Sequence, residues 1–301
     1  MNSEKIIAHF GADFYAKVLA DLKKYAELWE LSDLEQVDYY SINCIFTCIS
    51  RKHGACVLKI GKDANGTANE FRILREYNGG QFCRAYEKDI ANGVLLIERI
   101  MPGVQLRDEP DLDKRLELFC EIFRGLHIAP ADKAAYPTYM GWVSRITEFM
   151  RTRDDHAALY MKMVRAEKIC RELCTKYPGK MLLHGDLHHD NVLLGGDNRY
   201  RIIDPKGVVG DVVFDIPRFI LNEFDDDLDD AFHGKLTHIT RTLATRLDIP
   251  ECDIRRLTYV EMCMANCWNV ESNDKPNMDE VLFTERMMDE GHPANTLPIY
   301  P

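Results

Sequence analysis

Apolar positions along the chain follow two periods, and the change from one to the other divides it. Over residues 4–30 Ile6, Phe10, Phe14, Leu19, Leu22, Tyr25 and Trp29 recur at helical spacing, broken at Gly11, which predicts a helical appendage over residues 1–32. Short apolar runs bounded by turn residues then take over. Val37–Ser41, Cys44–Ser50, Ala55–Ile60, Cys83–Glu87 and Val94–Ile100 read as strands, with Arg51-Lys52-His53-Gly54 as a hairpin turn. One helix, Ala68–Tyr77, interrupts them and stops at Asn78-Gly79-Gly80.

Pro102-Gly103 breaks the chain, and the period becomes helical. Leu112, Leu116, Phe119, Phe123 and Leu126 share a face that ends before Pro130, and a second helix covers about 155–177. Residues 181–206 read as short strands around a polar loop. Beyond Asp215 the pattern is helical, with one stripe from Leu228 to Leu247 and another from Leu257 to Trp268. The prediction is an α+β fold of two lobes: a small antiparallel-sheet amino lobe over 33–100 and a larger helical lobe over 101–301.

Composition narrows the function classes. With 46% hydrophobic and 29% charged residues the chain has ample core material, and no stretch approaches the ~18 apolar residues of a membrane span. The amino terminus carries acids and no signal-peptide pattern, so the expectation is a cytoplasmic protein. A net charge of −11 argues against nucleic acid or an anionic membrane as partner. That charge is uneven: residues 1–206 hold 30 basic and 30 acidic side chains, and the last 95 hold 8 and 19. The 10 cysteines are scattered or spaced i, i+4, which fits buried thiols in a reducing compartment.

The chemistry concentrates in Leu182-Leu183-His184-Gly185-Asp186-Leu187-His188-His189-Asp190-Asn191, followed by Ile202-Ile203-Asp204-Pro205. Phosphoryl transfer needs a carboxylate to orient the acceptor hydroxyl and oxygen ligands to hold Mg²⁺ against phosphates. Asp186 suits the first task, Asn191 and Asp204 the second. Apolar runs on both sides would fix the loop on rigid backbone. His188 and His189 lack a third ligand at metal-site spacing and read as loop residues, and Asp190 as solvated.

These segments resemble the catalytic loop His-Gly-Asp-(Leu/Ile)-His-x-x-Asn of the aminoglycoside phosphotransferase and choline kinase branch of the protein-kinase-like superfamily. Ile203-Asp204-Pro205-Lys206-Gly207 with Phe214-Asp215 looks most like its streptomycin 6-kinase and hydroxyurea phosphotransferase group. The resemblance runs from about Asp38 to Trp268. It implies ATP and Mg²⁺ as cofactors, with guanine left open as the base. It also makes Asp186 the catalytic base, Asn191 and Asp204 the metal ligands, and His184 a support of the loop. Lys59 becomes the contact to the inner phosphates and Glu70 its partner, with Glu76 as fallback. Glu98 and Ile100, in an interlobe hinge, would meet the base through a backbone carbonyl and N–H. No glycine-rich phosphate cover is present; backbone N–H groups and the Ser41 hydroxyl stand in its place. Asp215, before Ile216-Pro217-Arg218, reads as a helix cap.

The resemblance implies that the acceptor, a small molecule offering a hydroxyl, binds against the helical part, which is also where the acidic excess lies. The run from Glu223 to Asp230 reads first as a solvated helix start. Glu261 and Trp268, seven apart and therefore on one helix face, are the candidates to hold an amine or guanidinium, and a core tryptophan beside an unrelated glutamate is the equal alternative. The resemblance implies an antibiotic-resistance type of kinase with an aminoglycoside such as streptomycin, or hydroxyurea, as acceptor, and the placement of the acidic excess adds a bias to cationic acceptors. A metabolic kinase for another alcohol or amino-sugar is the enzymatic alternative. A pseudokinase would lack one of Lys59, Asp186, Asn191 or Asp204, and a protein kinase would need a longer segment after Asp204.

Overall fold

The computed structural model describes residues 3–37, 43–224 and 227–290. In chain order they form α1 (Ser3–Phe10), α2 (Ala12–Leu28), β1 (Leu31–Gln36), β2 (Asn43–Ser50), β3 (Gly54–Gly61), α3 (Ala64–Tyr77), β4 (Ala85–Asp89), β5 (Val94–Glu98) and β6 (Pro102–Gln105). There follow α4 (Leu112–Arg124), α5 (Tyr139–Arg151), α6 (Ala157–Lys176), β7 (Met181–Leu183), β8 (Val192–Gly195), β9 (Tyr200–Ile202) and β10 (Val208–Gly210). Helices α7 (Ile216–Leu221), α8 (Asp230–Leu247), α9 (Glu251–Glu271) and α10 (Met278–Glu290) complete the described chain.

Packing divides the chain into two compact units, 1–108 with 190–206, and 109–189 with 207–301. The first contains an antiparallel sheet ordered β1-β2-β3-β5-β4. Its strands alternate because one face meets helices: Cys44, Phe46, Cys48, Cys56, Leu58 and Ile60 share a core with Ile6, Phe10, Phe14, Val18 and Tyr25. The amino-terminal helices are therefore part of that core and not an appendage. Gly11, at φ 91°, ends α1 and lets α2 restart, at the position where the apolar stripe over 4–30 is broken.

The first strand also differs from expectation. It lies at Leu31–Gln36, before the predicted Val37–Ser41; Ser41 and its neighbours 38–42 are outside the described residues. Its mostly polar sequence hid it. As an edge strand that among the described residues pairs only with β2, it buries little beyond Leu31, so no apolar alternation was required of it. The second sheet of this unit, β6-β8-β9, makes a short strand of the Pro102 segment that had read as a break.

In the second unit α9 is the axis, buried on most faces and packed by α5, α6, α7, α8 and α10. The caps are side chains that satisfy orphan N–H groups: Asp111 accepts from Asp113 and Lys114 at α4, Thr138 from Gly141 at α5, and Asp229 from Phe232 at α8. The strands β7 and β10 pair antiparallel, Leu183 with Val208, and so bracket the loop that follows β7. No helix among the described residues is long and apolar enough to cross a membrane.

Candidate active site

In the first unit the site grows from three segments. β3 places Lys59 opposite Ile45 on one side and Leu95 on the other, with its side chain buried. Helix α3, started by the Asp63 cap on Asn65, brings Glu70 to it; the helix begins earlier than predicted, so Glu70 stands in its second turn. Lys59 Nζ donates to Glu70 Oε1 at 2.6 Å and to Asp204 Oδ1 at 2.9 Å. Glu70 is the lysine's helical partner, as the resemblance implied, and Glu76 is not.

Asp204 arrives by the β8–β9 hairpin. The pair Val192 with Ile202 puts Asn191 and Ile203 at the same end, and the Ile203 N–H donates to the Asn191 carbonyl at 3.0 Å. Asp204 holds φ 58°, a left-handed conformation that Asp tolerates better than most residues, directly before a proline that disfavours helical backbone. Its second oxygen accepts from Lys206 Nζ at 2.6 Å, and the Lys206 carbonyl accepts from Asn69 Nδ2. Burial pushes the Asp204 carboxyl up, but Lys59 and then Lys206 outweigh it and hold it well below the usual range. Burial likewise opposes the Lys59 charge, and Glu70 and Asp204 outweigh it, keeping the ammonium protonated.

A magnesium ion fits these donors in kind. Asp204 and the buried Asn191 offer hard oxygens, the preference of Mg²⁺, and two such ligands suit an ion that brings phosphate and water ligands with it. Glu98 and Ile100 lie at and just beyond the end of β5. Glu98 binds Arg84 twice, its N–H donating to the Arg84 carbonyl at 2.8 Å and its carboxylate accepting from the Arg84 N–H at 3.0 Å. Ile100 is buried. Asp190, expected to be solvated, accepts two hydrogen bonds from Arg107 at 2.5 and 3.0 Å.

In the second unit the loop after β7 carries Asp186, and its shape is set from beneath by Asp215. That carboxylate is 1% exposed and accepts from the His184 N–H at 2.7 Å, the Gly185 N–H at 2.8 Å and His127 Nε2 at 2.9 Å. It makes no capping bond to α7, so the helix-cap reading gives way to a loop-holding one. His184 Nδ1 accepts from the Asp186 N–H at 3.0 Å, which fixes its proton on Nε2. Gly185 is required: at φ 79°, a Cβ would lie 2.8 Å from the Trp142 ring.

Asp186 Oδ1 accepts from Arg218 Nε at 2.7 Å, and His188 Nε2 lies 3.9 Å from Oδ2. Arg218 escaped the sequence reading, although it is the third residue after Asp215; nothing local marks an arginine as the partner of a carboxylate 32 residues upstream. Glu261 and Trp268 are corrected by the same residue. Glu261 is 3% exposed, accepts from the Tyr139 hydroxyl at 2.6 Å and lies 3.7 Å from Arg218 Nη1. The Arg218 guanidinium sits over the Trp268 ring at 5.5 Å. The cation these two hold is the protein's own.

The acidic run is also reassigned. Glu223 is buried, bound by Arg115 through two hydrogen bonds of 2.9 Å and by His189 Nε2 at 2.8 Å, so His189 is an interior residue stacked on Phe219. Asp229 caps α8, and 225–226 are outside the described residues. Burial raises the Glu223 pKa, but His189 and Arg115 outweigh it and hold it at about 2. Because the folded value lies below the unfolded one, the stabilisation is complete above the unfolded carboxylate pKa and is lost as pH falls toward the folded one. Urea unfolding followed from pH 7 to pH 2 is expected to show about 3 kcal/mol lost through this group below about pH 4.5. Glu223→Gln, already weaker at neutral pH, should show a shallower fall.

A cavity of about 340 Å³ opens beside Asp186, with Arg218, Asn222 and Asn269 in its wall. Neither Glu261 nor Trp268 lines it.

A family model described as aminoglycoside/hydroxyurea antibiotic resistance kinase matches residues 33–273. The streptomycin 3''-kinase of Klebsiella pneumoniae is 29% identical over 170 residues, covering 55% of this chain and 60% of that protein. The hydroxyurea phosphotransferase of Kitasatospora aureofaciens is 27% identical over 229 residues, covering 71% and 64%. The chain thus spans about three fifths of the length of these relatives. Among solved structures, a thermostable mutant of aminoglycoside phosphotransferase APH(4)-Ia, in a ternary complex with ADP and hygromycin B, superposes with a TM-score of 0.63 at 15% identity, covering 91% of this chain and 98% of that one. This likeness shows the predicted fold, a sheet-bearing amino-terminal unit and a helical carboxy-terminal one.

Proposed function

The chain belongs to the aminoglycoside/hydroxyurea antibiotic resistance kinase family, and from that membership we propose that it transfers the γ-phosphoryl group of ATP to a hydroxyl of a small molecule of the aminoglycoside or hydroxyurea type, working in the cytoplasm. The observation that carries the reading is the buried Lys59 held between Glu70 and Asp204, carboxylates from two other segments. Burying such a cluster contributes little to stability against an apolar alternative, whereas a lysine fixed in this way is suited to grip phosphate.

In this reading Asp186 orients the acceptor hydroxyl and takes its proton as the new P–O bond forms and the bond to the β-phosphate oxygen breaks. Lys59, placed by Glu70, positions the inner phosphates. Asn191 and Asp204 hold Mg²⁺, which when bound neutralises charge on the transferring group. The backbone at Glu98 and Ile100 receives the base.

The test incubates the purified chain with ATP, Mg²⁺ and a panel of streptomycin, hydroxyurea and metabolite alcohols, read by phosphorus NMR and mass spectrometry. Acceptor-dependent ADP together with a phosphorylated product is the expected result. Absence of both across the panel overturns the proposal.

A further inference from the structure

We propose that Arg218 occupies, from within the chain, the place that a cationic acceptor would take, so that the cavity beside Asp186 selects an uncharged, hydroxyl-bearing small molecule. The inference rests on the reading of Asp186 as the residue that meets the acceptor. Three observations in the second unit carry it.

First, the carboxylate and aromatic pair suited to an amine or guanidinium is filled. Glu261 faces Arg218 at 3.7 Å and Trp268 lies under its guanidinium at 5.5 Å, with Trp142 set edge-on to Trp268 at 6.0 Å. Second, the same guanidinium binds Asp186 at 2.7 Å. The negative charge nearest the transfer point is thereby matched before any ligand enters, and an arriving cation would meet a fixed like charge. The amides of Asn222, Asn266 and Asn269 share the wall with Glu280, its other carboxylate. Asn266 spends its amide on the Met262 carbonyl and the Asn277 N–H, and the Asn222 Oδ1 meets His189 Nδ1, so Asn269 is the exposed amide of the three; an amide offers donors and acceptors to hydroxyl or carbonyl oxygens without favouring charge.

Third, Glu223 and Asp229 of the acidic run are committed elsewhere, and Glu280 is the carboxylate among the described residues of the last 95 that lines the cavity. Glu223 is committed to Arg115 and His189, with Lys235 3.4 Å away, and Asp229 to the start of α8. Size agrees with a modest ligand: about 340 Å³ is near the lower end of the ~300–1,000 Å³ of small-molecule sites. Arg218 is thus a positioning residue for Asp186 and the determinant of acceptor charge.

The test measures binding, independently of turnover, by calorimetry with ring-matched probes: scyllo-inositol against its bis-guanidino derivative streptidine, and N-acetylglucosamine against glucosamine. The full chain is expected to bind the uncharged member of each pair about tenfold or more tightly, since like-charge contact penalises the other. Arg218→Ala is expected to reverse that order. With an acceptor that the wild-type chain turns over, it should also lose about 10²-fold in kcat through misplacement of Asp186, with activity partly restored by methylguanidinium. Because Arg218→Ala strands the buried Glu261, the double variant R218A/E261Q is measured beside it; it should fold as stably or better and show no such rescue. Wild-type protein that binds the cationic probes as tightly as the uncharged ones, or binds no uncharged probe, overturns the inference. So does R218A that gains no affinity for cations. Uncharged preference without phosphoryl transfer leaves this inference standing and removes the kinase reading instead.

Discussion

Asp186→Asn is expected to lower kcat by about 10²–10⁴-fold, the range for losing a positioned general base, while KM for ATP moves by less than about threefold. The asparagine carbonyl oxygen can still accept the Arg218 Nε–H that now binds Oδ1 at 2.7 Å, so the side chain keeps its position. What disappears is the second charged oxygen and with it a group able to take the acceptor proton. Arg218 keeps Glu261 as a counter-charge, so the fold should be within about 1 kcal/mol of wild type, as for a substitution that neither opens a cavity nor strands a charge. Steady-state kinetics and a thermal melt on the same preparation separate the two effects. Turnover retained in the asparagine variant would remove Asp186 from the chemistry. A matched fall in melting temperature would reassign it to the fold.

How far the sequence could lead depended on whether a partner lies close along the chain. The order Asp186, Asn191, Asp204 is local, and a hairpin whose register pairs Val192 with Ile202 was enough to bring the last two together. The family pattern put Glu70 before Glu76 as the partner of Lys59, and the structure pairs Lys59 with Glu70. Where the partner is remote the pattern falls silent. Arg218 reaches 32 residues back to Asp186, Tyr139 reaches 122 forward to Glu261, and Arg115 reaches 108 to Glu223. The two arginine pairs each neutralise a carboxylate that composition counts as free, and the Tyr139 hydroxyl ties down a third. The acidic excess of the last 95 residues therefore suggested a cationic acceptor, and the packing moves the argument toward an uncharged one. The edge strand Leu31–Gln36 was missed for a related reason: its pairing comes from the remote β2, and its side chains carry little of the burial that periodicity detects.

Asp215→Ala is expected to have the largest effect on stability, about 3–5 kcal/mol, the cost of taking one partner from a buried charged network. The carboxylate is the shared acceptor of the His184 and Gly185 N–H groups and of His127. Alanine leaves all three donors buried without it, in a space too enclosed by β7 and the segment leading into α7 for water to replace every bond. Asp215→Asn should cost less but still destabilise, because its amide turns a donor toward one of these donors. For a chain of this size the alanine variant should melt on the order of 10 °C lower. The loop gives this loss a functional edge: Gly185 holds φ 79° against the Trp142 ring, and the Asp186 N–H is tied to His184 Nδ1. Released from Asp215, the turn has no reason to keep that conformation. kcat should therefore fall by about 10²-fold even at temperatures where the variant remains folded, as for a catalytic group displaced by about 1 Å. Differential scanning calorimetry with kinetics at 15 °C checks both. An alanine variant that melts with wild type would mean that the loop is held by something other than this carboxylate.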